Sequence, residues 1–295
     1  LLTLLALVWS IEAAANELQP FLKQLTGDSF NGVVVLATDN ANASVAVGTL
    51  DGNASNKLAT QTRFRIASVS KAFTAVLVLQ ATERGEINLD DPLALHFSLP
   101  VLSPAGAVTS DQLLWLTSGS KDFGPSPKQG ESLRDCLVRT ISDEPMDFAP
   151  GTRQQYCNVG YTLLGELLEK VTGQSLDALL QQHICGPANL NATSYVTKPA
   201  ATGENVATGL VSSATGFSPD PDVVDLAKFP GAGGVVSTAS DLSAFANALM
   251  GNRLLRSSSR KRMMSPYEGS ALARGCRMMP IPNGETIFQT ARQSC

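Results

Sequence analysis

Residues 68–83 read Ser-Val-Ser-Lys-Ala-Phe-Thr-Ala-Val-Leu-Val-Leu-Gln-Ala-Thr-Glu, and Gly85 follows two positions later. The run is about four helical turns long and apolar nearly all round. It therefore predicts a buried helix that stops at the glycine. Ser68 opens this helix and Lys71 lies three residues on, so their side chains share a face. Apolar surroundings disfavour the ammonium and lower a lysine pKa. A neutral amine beside a serine can take the hydroxyl proton and leave an alkoxide-like nucleophile.

Working outward, residues 32–36 form a β-branched apolar run and residues 44–48 alternate and end in glycine, which predicts a two-stranded hairpin. Residues 64–66 suit a short third strand. Beyond the helix, residues 111–116, 160–171 (with Gly173 past the end) and 176–183 predict shorter helices, and 197–222 reads as an irregular loop. Residues 233–238 return to strand character, and Ser240-Asp241 is expected to open a helix through Met250, capped at Gly251. Residues 271–281 and 285–290 suit two more strands, turned at residues 282–284. Strands at both ends with helices between them predict a mixed α/β fold. One discontinuous α/β sheet domain (16–85 and 228–295) is interrupted by a mostly helical insertion (86–227).

The chain has 295 residues, 43% hydrophobic and 16% charged, which excludes intrinsic disorder and leaves room for a substantial core. Its net charge of −4 and pI near 5.3 offer no basic face, so no nucleic-acid partner is expected. Two histidines and five scattered cysteines, with neither Cys-x-x-Cys nor His-Glu-x-x-His, leave little room for a metal site. Residues 1–9 are an apolar run, and Ala13 to Ala15 are small. This fits a secretory signal peptide over residues 1–15 better than a buried N-terminal helix, and it is too short to span a bilayer. The expected location is secreted or extracytoplasmic, where two or four of Cys136, Cys157, Cys185, Cys276 and Cys295 could pair.

Two further Ser-x-x-Lys patterns occur, at Ser118 with Lys121 and at Ser258 with Lys261. The first lies in a glycine-containing loop and the second in a basic, solvated stretch, so only Ser68 opens a long apolar helix. No Gly-x-Ser-x-Gly elbow is present. A serine–histidine pair would need His96, which reads as packing or surface, or His183, which reads as a helix-end cation. A second constellation is Tyr156-Cys157-Asn158, just before a predicted helix. A tyrosinate is a competent base where cations lower its pKa, and the phenol can return the proton to a leaving group. The Asn158 amide can hold a substrate carbonyl and the lysine.

Taken together, four ordered segments resemble the serine β-lactamase-related family, which includes class C β-lactamases, D-Ala-D-Ala carboxypeptidases and β-lactamase-like esterases. They are residues 64–74 around Ser68 and Lys71; 113–119, which lack the family's histidine; 148–165 with Tyr156 and Asn158; and 232–245, carrying Gly-Gly-x-x-Ser-Thr. The resemblance implies an antiparallel sheet flanked by helices with a helical domain on one side. It implies that Ser68 forms an acyl-enzyme, Lys71 and Tyr156 share the proton transfers, and Asn158 binds substrate, with no cofactor or metal. The substrate would be a small ester, a D-amino-acid peptide or a β-lactam-like amide, with ester or peptide hydrolysis favoured. The family's third motif, Lys-Thr-Gly or His-x-Gly, is missing; its expected place is residues 289–292, Gln-Thr-Ala-Arg. The chain is therefore expected to be a fragment, incomplete at both ends. The alternative reading is a catalytically inactive binding protein that keeps the fold.

Overall fold

The computed structural model describes residues 20, 30–37, 42–100, 103–122, 126–196, 205–213, 216–220, 228–281 and 284–288. The expected signal peptide and the expected third-motif position lie outside them.

The central element is helix α1, Ser70–Glu83, which follows a tight 3₁₀ turn at Ala67–Val69. Eleven of its fourteen residues are buried, so it has no polar face and must be enclosed on every side. Gly85, at φ +76°, ends it as expected. Helices of the segment 86–227 supply one side: α2 (Ser110–Leu114) and α3 (Leu133–Asp143) pack on α4 (Asn158–Thr172), and α4 and α5 (Leu176–Leu180) pack on α1. α4 packs along α1 and closes in Gly173 in the left-handed conformation. α6 (Ala239–Met250) and α7 (Ser257–Met264) cover the other sides, and the rings of Phe73 and Phe245 stack 4.0 Å apart between α1 and α6. One hydrophobic core runs from Leu77 and Leu79 through Leu113, Leu137, Leu163 and Leu167 to Leu249.

The strands pair antiparallel and form four separate sheets among the described residues. β1 (Gly32–Ala37) pairs with β2 (Asn42–Val47), from Gly32 opposite Val47 to Ala37 opposite Asn42, and α6 packs on β1. The sheet nearest α1 joins β3 (Phe64–Arg65) and β4 (Ser194–Tyr195) to the two edges of β7 (Val235–Ser237). Thus the segment 86–227 contributes a strand beside β7. β5 (Leu210–Ser213) and β6 (Gly216–Pro219) form a hairpin inside the stretch expected to be irregular. Its Gly, Ser and Pro content hid the pairing. β8 (Arg277–Ile281) and β9 (Gly284–Phe288) form the last hairpin, β8 starting six residues later than expected.

Other local expectations also need correction. α3 was not foreseen. α6 is capped by Thr238, whose hydroxyl accepts from Asp241 N at 3.1 Å, rather than opening at Ser240. His183 does not end a helix, because a π turn, Gln181–Cys185, carries the helix on to Ala188. Cys136, Cys157, Cys185 and Cys276 are separate buried thiols, not disulfides. No helix among the described residues is long and apolar enough to cross a membrane.

The turn that leads into β7 is wedged between α1 and α4. Gly231 has φ +82°, and a Cβ there would lie 2.5 Å from the Tyr161 carbonyl and 3.3 Å from Gly165 Cα. Gly85 has a similar φ but nothing within 4 Å of its Cβ position. Gly85→Ala should therefore cost only the left-handed backbone term, about 1–2 kcal/mol. Gly231→Ala should cost about 3 kcal/mol or more, because backbone overlap adds to that term. Urea unfolding midpoints of the two variants test this; equal losses would show that the wedge is loose.

Candidate active site

The 3₁₀ turn before α1 places Ser68 at the mouth of the buried helix. The residue before it, Ala67, has φ +43°, a left-handed conformation that costs a non-glycine residue about 1–3 kcal/mol. Lys71, one turn on, is 1% exposed. Its Nζ lies 2.8 Å from Asn158 Oδ1, 2.9 Å from the Ala232 carbonyl oxygen and 3.3 Å from Ser68 Oγ. The Tyr156 hydroxyl is within hydrogen-bond reach of Ser68 Oγ, and the Tyr156 ring centroid is 4.7 Å from Lys71 Nζ. The structure thus brings together all four residues singled out from the sequence: Ser68, Lys71, Tyr156 and Asn158.

The electrostatics follow from burial. Loss of water around Lys71 pulls its pKa from 10.5 down to about 7, against the opposing charge of Asp122. A neutral amine has two N–H groups and one lone pair. The Ala232 carbonyl can only accept. Asn158 must also present its oxygen, because its amide nitrogen donates to Asp122 Oδ2 at 2.9 Å, and a carboxylate cannot donate in return. The two N–H groups are therefore taken, and the lone pair is left facing the Ser68 hydroxyl.

Tyr156 behaves differently from the tyrosinate reading. Its pKa is raised, chiefly by desolvation, although the Ser68 hydrogen bond pulls the other way. The phenol is held protonated and suits a proton donor beside Ser68 Oγ. The thiol of neighbouring Cys157 is pushed up to about 12 by burial, so it is a packing group.

Sequence reasoning missed Asp122. Its Oδ1 accepts from Asn158 N at 2.7 Å and Val159 N at 3.3 Å, so it caps α4, where the N-cap residue Cys157 has no side-chain acceptor of its own. The signal was present only as an acidic residue three positions after Gly119, with nothing local to connect it to a helix 36 residues away.

The competing patterns separate in space. Lys121 pairs with Glu144 at 3.1 Å, while the buried Ser118 hydroxyl accepts from Ser120 N. Ser258 and Lys261 are exposed on α7. His183 lies at the far end of α1, where Gln80 donates to its carbonyl; that is some 20 Å from Ser68 by helix rise. Its imidazole pKa is lowered, mainly by burial and then by Arg84, against the pull of Glu86. His96 follows the 3₁₀ turn Leu93–Leu95 with its Nε2 buried. Next to Lys71 and Tyr156 is a cavity of about 150 Å³. Its walls are mostly apolar, with Leu116, Tyr161, Leu272, Ala273 and Cys276, and Arg277 also borders it.

The chain is similar to known proteins in sequence and in fold. The chain is 32% identical over 210 residues to penicillin-binding protein 4 of Amycolatopsis lactamdurans, covering 68% of this chain and 54% of the relative. It is 34% identical over 149 residues to a beta-lactamase of Escherichia coli strain K12, covering 50% of this chain and 39% of that one. The chain thus spans about half the length, or less, of the curated relatives it matches. Among solved structures, the D-amino acid amidase of Ochrobactrum anthropi SV3, complexed with D-phenylalanine, superposes with a TM-score of 0.80 at 23% identity, covering 94% of this chain and 84% of that one. Residues 18–280 match the family model described as Beta-lactamase, and the chain belongs to that family of serine hydrolases and penicillin-binding proteins.

Proposed function

We propose that the protein is a hydrolase that forms an acyl-enzyme on Ser68, with Lys71 as the general base and Tyr156 as the proton donor to the leaving group. The observation that carries this reading is the arrangement of the Lys71 amine. With its pKa lowered to about 7, about half of it is neutral at pH 7, and in that form two N–H groups are taken by Asn158 Oδ1 and the Ala232 carbonyl, leaving the lone pair for Ser68 Oγ. Lys71 takes the Ser68 proton as Oγ attacks the acyl carbon, and the protonated Tyr156 hydroxyl stands beside the same oxygen to protonate the departing group. Asn158 holds the lysine and the substrate carbonyl. The substrate is a small ester, a D-amino-acid peptide or a β-lactam-like amide, with the first two favoured. The cavity beside Lys71 has room for one small apolar group, since a void of this volume accepts a benzene-sized guest. Secretion is part of the same proposal, supported by the apolar run at residues 1–9.

Intact mass after exposure to a fluorophosphonate probe tests the nucleophile. An adduct on the parent and none on Ser68→Ala is expected. A chain that circular dichroism shows to be folded, yet that takes no adduct, overturns the proposal in favour of a binding protein that keeps the fold. Lys71→Met and Tyr156→Phe should each slow labelling by about 10²–10⁴-fold. The labelling rate should also climb with pH and level off above about 7, because the competent form of Lys71 is the neutral amine and its folded-state pKa is about 7. A rise centred near 10 would mean that Lys71 keeps its ordinary affinity for protons and is not the base.

A further inference from the structure

Lys71 Nζ carries three directions, and two of them end on acceptors that are themselves held from behind. Asn158 Oδ1 faces the amine because Asp122 takes the other end of the same amide. The Ala232 carbonyl faces it from the turn before β7. That turn is anchored one residue earlier by Thr74, whose hydroxyl donates to the Gly231 carbonyl at 2.7 Å. Thr74 lies one position short of a full α-helical repeat beyond Lys71, so the two side chains rise from the same face of α1 onto consecutive carbonyls. Neither Thr74 nor Asp122 hydrogen-bonds the amine.

We propose that Thr74 and Asp122 are the two positioning residues that aim the Lys71 lone pair at Ser68. The inference rests on the acyl-enzyme reading above and extends it to residues that touch neither nucleophile nor base. An amine on a four-carbon stem can turn freely unless its neighbours stop it. Fixing two N–H bonds fixes the third direction; loosening either acceptor frees the lone pair to point away. Thr74 has no other evident catalytic use. It is fully buried on α1, next to the Tyr195 hydroxyl at 3.3 Å, and Ser70 of the same turn accepts from Val235 N at 3.0 Å. Three side chains of one helical turn therefore grip residues 231–235. The Asp122 arm depends on chemistry as well as place. An asparagine there would still accept from the backbone of α4, but its own NH₂ could meet the Asn158 NH₂, donor against donor. Asn158 would then turn over and offer Lys71 a donor where it now has an acceptor.

The test is the rate of Ser68 modification by a fluorophosphonate, followed by intact mass, for the parent, Thr74→Val, Thr74→Ser, Asp122→Asn and the Thr74→Val/Asp122→Asn double variant. Misplacing a reacting group by about 1 Å can cost 10²-fold. Thr74→Val and Asp122→Asn are each expected to label about 10- to 100-fold more slowly. Thr74→Ser, which restores the hydroxyl, should return to within a few-fold of the parent. The double variant should be little slower than the worse single variant, because both losses act through one lone pair. A Lys71→Ala/Thr74→Val variant should label no more slowly than Lys71→Ala alone. Parental rates in both single variants overturn the proposal, as do a Thr74→Ser variant no better than Thr74→Val or losses that multiply in the double variant. If Thr74→Val fails to fold, Asp122→Asn, on an exposed loop, still decides between the outcomes. A parent that does not label at Ser68 defeats the acyl-enzyme reading and this inference with it. A parent that labels while the variants match it defeats the inference alone.

Discussion

A helix without a polar face has to be surrounded, and the rest of this structure is arranged to meet that demand. α1 is enclosed by α4 and α5 on the side of the segment 86–227, by α6 and α7 from the C-terminal region, and by the β7 ladder near its start. The enclosure draws buried residues from Ile66 to Met263 into one core. Because Ser68 and Lys71 stand at the open end of this helix, the packing that stabilises the fold also strips water from the amine. The fold's stability and the lowered lysine pKa are then two results of the same burial.

The side chains that close over this site are held by a few strong anchors. Arg274 is 4% exposed and grips Asp111 with two hydrogen bonds of 2.8 Å, while its guanidinium lies 4.0 Å above the Trp115 ring. It joins the segment before β8 to α2. The same segment carries Gly275, whose Cβ position lies 2.6 Å from the Lys71 carbonyl, so backbone sits directly on backbone there. A bidentate buried pair of this kind favours one geometry over near alternatives more than it adds net stability.

How much of this was legible in the sequence depends on the range of the signal. α1 and α4 announced themselves by long apolar runs that end in glycine, and Ser68, Lys71, Tyr156 and Asn158 stood out because their types and spacing carry chemistry. α3 was overlooked although Leu133, Cys136, Leu137 and Ile141 keep helical spacing behind a Ser132 cap that accepts from Asp135 N, because charged residues fill the gaps between them. Asp122 and Thr74 were illegible for another reason. Their partners lie 36 and 157 residues away, and only the folded chain puts them within reach. The protonation state of Tyr156 was equally out of reach, since it depends on how much of the ring the fold removes from water.

Burying Lys71 also couples the whole fold to the proton. The amine binds a proton with a pKa of 10.5 when the chain is unfolded and about 7 when it is folded. Between those values the unfolded chain holds a proton that the folded chain has released, so stability rises as pH climbs from about 7 towards 10.5. Below about 7 the full penalty applies. Near neutrality that penalty is about 4 kcal/mol, against total stabilities of about 5–15 kcal/mol for ordinary domains. The buried amine is thus a standing load on the core, one that grows lighter in alkaline surroundings, and an apolar residue of similar shape in its place would leave a sturdier protein.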